Sequence, residues 1–116
     1  KSIKTNNFMV DLKQLQKEIM DNRKEKGFPN DVTYDFCRAY EELAEAFSKY
    51  DRNKPGVAEE LADVMIFLLG ISNNLNFDLE KELIRKVEIK KKRKYIKEKS
   101  PDGKDVFIRI KTDEDP

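Results

Sequence analysis

A chain of 116 residues is one domain by length, enough for a single modest core. Hydrophobic residues make up 38% and charged residues 41%, and the net charge of +1 hides acid gathered in the middle and at the C-terminus and base between Lys81 and Lys99. That pattern argues against a general nucleic-acid or membrane binder and for a local anionic ligand. With no histidine and one cysteine, the composition excludes a Ser-His or Cys-His nucleophile, a structural zinc site and an internal disulfide.

Four helices are predicted. In the first, Phe8, Leu12, Leu15 and Ile19, with Met9 and Met20 alongside, recur at helical spacing on a charged segment that stops near Gly27-Phe-Pro-Asn30. The second runs from about Val32 to Tyr50 with Asp31 as N-cap. Its Phe36, Tyr40, Leu43, Phe47 and Tyr50 follow a 4-3-4-3 rhythm, read as core or subunit interface, and Cys37 reads as a small core residue. After the break at Asp51–Gly56, the third helix covers about Val57 to Asn73 and is apolar nearly all round, which predicts burial on several sides. The fourth begins near Asp78 and turns Leu79, Leu83, Val87 and Ile89 inward. Beyond Tyr95 the pattern changes: Ser100-Pro-Asp-Gly103 is a turn sequence and Val106–Ile110 is β-rich, so a hairpin or extended arm is expected, followed by a frayed acidic end from Asp113 to Pro116.

The chemistry lies in two pairs of carboxylates. Glu42 and Glu45, and then Glu60 and Asp63, are each spaced i, i+3, so each pair shares a helical face. Asp63 is the one charged side chain between Leu61 and Ile71, and burying a lone carboxylate costs several kcal/mol unless something pairs with it. At ~1.5 Å per residue, Glu45 and Glu60 stand roughly 6–8 Å from the turn between helices two and three, and Glu42 and Asp63 roughly 10–12 Å. The pairs are therefore level across an antiparallel hairpin. Hard oxygen ligands without nitrogen or sulfur select Mg²⁺, or Mn²⁺, and such an ion takes its remaining ligands from water and substrate phosphates. Lys86, Lys90 and Arg93, on one face of the basic helix end, supply charge for a phosphate.

Glu-Glu-Leu-Ala-Glu (41–45), fourteen residues, then Glu-Leu-Ala-Asp (60–63) resembles the Glu-Glu-x-x-Glu…Glu-x-x-Asp signature of the all-α nucleoside triphosphate pyrophosphohydrolases, the MazG-like proteins with dCTP pyrophosphatase and phosphoribosyl-ATP pyrophosphohydrolase as relatives. The likeness extends over roughly Leu12 to Tyr95. It implies an all-α, antiparallel four-helix-bundle-like domain over residues 1–95, assembled with a second subunit as a homodimer or homotetramer; residues 96–116, the hairpin or arm and acidic tail, find no counterpart in it. It implies Mg²⁺-dependent cleavage of a (deoxy)nucleoside triphosphate at the α–β bond, giving monophosphate and pyrophosphate, in nucleotide-pool house-cleaning. Glu42, Glu45, Glu60 and Asp63 match the metal ligands, and Glu41 matches the motif's leading glutamate, placed to position the attacking water. Phe67 resembles a position near the base. Relatives often have asparagine where Lys90 stands, and several stack the base on a tryptophan, which this chain lacks; Phe28 is the stand-in.

A non-catalytic helical module, binding a nucleotide or another protein in the same cup, is the alternative. An RNA-binding role for the lysine-rich helix and arm is weaker, because Tyr95 and Phe107 are its sole aromatics. A reducing, cytoplasmic setting is the expectation, with no visible signal peptide. The longest apolar run, Val64 to Leu69, falls far short of the ~20 residues that a membrane span needs.

Overall fold

The computed structural model describes residues 9–111. Phe8 and the acidic end from Asp113 to Pro116 lie outside the described residues. The chain is mostly helical: α1 (Leu12–Glu25), α2 (Val32–Asp51), α3 (Val57–Asn74) and α4 (Leu79–Lys92) precede a two-stranded antiparallel hairpin of β1 (Lys94–Lys99) and β2 (Asp105–Ile110). It forms two compact units, one up to Glu80 and one from Lys81. No helix among the described residues is long and apolar enough to cross a membrane.

In the first unit α3 packs against both α1 and α2. Local chemistry sets the helix starts. The Asp11 carboxylate accepts from the Gln14 amide and the Asp31 carboxylate from the Tyr34 amide, each satisfying an amide with no partner inside its helix. Glu80 accepts from the Leu12 amide, and the Ser72 hydroxyl donates to Gln16, so α1 is tied to the end of α3 and to the first turn of α4. Gly56, at φ +104°, is the N-cap of α3 and turns the chain back after α2, a conformation that costs glycine little.

The core is small and sits where α3 crosses its neighbours. Ala39, Ala46, Leu69 and Ile71 are its buried apolar residues among those described, and Arg23, Asp35, Glu42, Glu60 and Ser72 are buried with them. The inward face of α2 therefore reads Asp35, Ala39, Glu42, Ala46, at spacings of four, three and four. Its aromatic stripe faces the other way: Phe36, Tyr40, Leu43, Phe47 and Tyr50 are all exposed.

Three expectations about burial are corrected. Cys37 is exposed, because it sits beside Phe36 on the outward side of α2. In α3 the buried residues beyond Glu60 all lie from Leu69 to Ser72, and Leu61, Met65, Ile66 and Leu68 are exposed, since α1 and α2 cover part of its circumference. In α4 no residue is buried, and Leu83 and Val87 are exposed.

In the second unit the hairpin register pairs Tyr95 with Arg109, Ile96 with Ile108 and Lys97 with Phe107. At its turn, the Ser100 hydroxyl donates to Asp102, which also accepts from the Lys104 amide. These two bonds, the hydroxyl's first, hold the Asp102 carboxyl below the usual range. Every residue of both strands is exposed.

Candidate functional site

The α2–α3 hairpin brings acidic groups together. One carboxylate oxygen each from Glu42, Glu60 and Asp63 lies within 4.8 Å of the others. Glu42 and Glu60 are buried and Asp63 is half-buried. Two like charges at that distance repel by roughly 3 kcal/mol at an effective dielectric near 20, so the arrangement calls for counter-charge.

Two cations supply part of it. Arg38, one turn before Glu42, donates from Nη2 to the Glu42 carboxylate at 2.9 Å and from Nη1 to Glu41 at 3.4 Å. Lys49 Nζ stands 3.7 Å from Glu60. Among the described residues, Glu60 Oε2 is buried with no N–H donor in hydrogen-bond reach. A buried, unpartnered carboxylate oxygen facing other carboxylates is an arrangement that a small cation resolves.

Glu45 stands beside this group without joining the three. Its carboxyl is pushed up, first by sharing a hydrogen bond with Glu60 and then by the charges of Glu42 and Glu60. Glu60 is drawn down, chiefly by the same hydrogen bond and by Lys49, against the opposing effect of burial. With Glu45 included, four carboxylates face two cations, which leaves about two negative charges for a divalent ion to balance. All the donors are carboxylate oxygens, a set that suits a hard divalent cation.

Beside the carboxylates lies an apolar cavity of about 530 Å³, within the range typical of small-molecule sites. Phe28 and Phe67 both line it, together with Tyr34 and Ile66. Its charged wall was not foreseen from the sequence. Arg23 and Arg38 place their guanidinium carbons 5.6 and 5.5 Å from the centre of the Phe67 ring, cation–π contacts on an aromatic that carries no charge of its own. Arg23 donates at 2.9 Å to Asp35, and both are buried. The Arg38–Glu42 spacing of four was readable as a helix-face pair. The Arg23–Asp35 pair crosses from α1 to α2 and left no periodic signal.

Glu41 is exposed. Lys86 and Lys90 are exposed on α4, and Arg93 is half-buried just beyond it; all three belong to the second unit. No protein-family model, no curated protein and no solved structure matches the chain.

Proposed function

We propose that the protein is a Mg²⁺-dependent nucleotide pyrophosphohydrolase of the all-α, MazG-like kind, cleaving a (deoxy)nucleoside triphosphate to the monophosphate and pyrophosphate. The observation that carries this reading is the convergence of three carboxylates from two antiparallel helices, with a buried Glu60 oxygen left without a partner, beside an aromatic cavity. Glu42, Glu60 and Asp63 would hold the divalent ion, with Glu45 completing the set, and the ion would polarise the phosphate and lower the pKa of water. Phe28 and Phe67 would sandwich or abut the base. Glu41, exposed at the edge of the cluster, would orient the attacking water and accept its proton. The working form is a homodimer or homotetramer, because the aromatic face of α2 is uncovered.

Pyrophosphate release from a panel of nucleoside triphosphates, with Mg²⁺ and with Mn²⁺, tests the reading. The wild type releases pyrophosphate from at least one of them, and Asp63→Asn, which keeps the shape and removes one charge, lowers the rate at least a hundredfold, a loss of ~2.7 kcal/mol of transition-state stabilisation. Inertness of the wild type across the panel refutes it.

The ion pairs of Arg38 with Glu42 and of Lys49 with Glu60 favour a second reading, in which the cup binds a nucleotide without turnover because half of its carboxylate charge is already balanced internally. Nucleotide binding without pyrophosphate release is the result that selects it.

A further inference from the structure

We propose that Arg38 is a phosphate-binding residue that exchanges partners, giving up Glu42 to an incoming divalent cation and turning its guanidinium to a phosphate oxygen of the bound nucleotide. The inference rests on the pyrophosphohydrolase reading and names a residue to which neither the carboxylate motif nor the basic helix end pointed.

Position is the first argument. The Arg38 guanidinium touches both halves of the site: Nη2 lies 2.9 Å from Glu42 Oε1, and the guanidinium carbon lies 5.5 Å from the centre of the Phe67 ring that lines the cavity. A ligand with a flat ring in the cavity and a phosphate at the carboxylates has to pass over Arg38. The fork of the guanidinium matches the paired oxygens of a phosphate.

Charge is the second. A divalent ion on Glu42 brings two more positive charges close to the Arg38 guanidinium, and the repulsion favours turning that guanidinium toward an incoming anion. Arg38 has donors to spare. Its contact with Glu41 is long at 3.4 Å, and Nε is buried without any hydrogen-bond partner. Its side chain is one-third exposed, so the far end has room to turn.

The exchange has a signature that a structural role lacks, because removing the guanidinium should move two affinities in opposite directions. Arg38→Met keeps the stem over Phe67 and removes the competing charge. Titration with Mn²⁺ alone, followed by calorimetry, should show roughly three- to tenfold tighter uptake than in the wild type. Affinity for a non-hydrolysable nucleoside triphosphate analogue, measured with Mn²⁺ saturating, should fall about tenfold or more. Arg38→Lys retains the charge and serves if the methionine variant unfolds: it should bind the analogue several-fold more weakly, since an ammonium lacks the fork. Mn²⁺ affinity that is unchanged or weaker in a folded Arg38→Met, or analogue binding that is unchanged in either variant, overturns the proposal. If the wild type turns over nucleotides while either result holds, the proposal alone fails. If the wild type takes up neither Mn²⁺ nor analogue, the proposal falls together with the reading beneath it.

Discussion

Gly70 shows how one missing methyl group positions the wall of the cavity. A Cβ built there would lie 2.6 and 2.7 Å from the two terminal nitrogens of Arg23 and 2.8 Å from its guanidinium carbon. The guanidinium thus lies flat against the α3 backbone, where it reaches Asp35. Arg23 is 7% exposed and Asp35 1%, so the pair has almost no water to fall back on. Helix propensity alone makes Gly70→Ala stabilising by about 1 kcal/mol. Displacing a buried arginine from its carboxylate costs about 3–5 kcal/mol, which decides the sign. Gly70→Ala is therefore expected to destabilise the protein by ~2–4 kcal/mol in urea unfolding; equal or greater stability would show that Arg23 moves aside freely. Pairwise contacts of this kind, between residues far apart in sequence, were invisible in the chain's periodicity. The acidic set was different, because i, i+3 spacing on each helix and equal distances from one turn made the meeting of Glu42, Glu60 and Asp63 legible.

At the scale of elements, the turn between α2 and α3 carries the site. Its register is set by Gly56, whose φ of +104° a side chain rarely adopts and whose added Cβ would come within 3.0 Å of Lys49 Nζ. Lys49 is the residue facing Glu60, so the backbone that reverses the chain also leaves space for one of the cluster's two counter-charges. Gly56→Ala should cost about 1–3 kcal/mol in thermal or denaturant unfolding from backbone strain. It should also weaken Mn²⁺ uptake by pushing Lys49 against Glu60, and an unaltered midpoint and Mn²⁺ affinity would separate the turn from the site. The helices themselves were legible to within a few residues, because Asp31, the Gly27-Phe-Pro-Asn30 stop and the Asp51–Gly56 break act locally. The hairpin followed from its Ser-Pro-Asp-Gly turn and its β-rich second strand. What the pattern left open was whether the aromatic stripe of α2 is core or subunit interface. The stripe of α2 has the composition of a core, yet α3 meets the small and acidic face instead, since that is the face able to approach closely.

Among the described residues, a broad apolar surface of the first unit is left exposed. Tyr40, Phe47 and Tyr50 are 72%, 63% and 71% exposed, and Phe36 and Leu43 about half. At 150–250 Å² per buried aromatic side chain, this stripe offers roughly 500 Å². Leu61, Met65 and Leu68 of α3 add a second stripe, which brings the total toward the ~800 Å² that each partner contributes to a stable interface. The 4-3-4-3 rhythm suits a second helix lying nearly antiparallel, and two copies of α2 satisfy it symmetrically. Light scattering is therefore expected to show a dimer or larger assembly. Tyr40→Glu combined with Phe47→Glu, which places like charges opposite each other across such a two-fold contact, should shift it to monomer and lower the melting temperature. Both side chains lie on the exposed face of α2, away from the buried face that carries Glu42, so Mn²⁺ affinity in the monomer reports whether the site depends on the second copy. A wild type that is monomeric at every concentration would leave the stripe without this explanation.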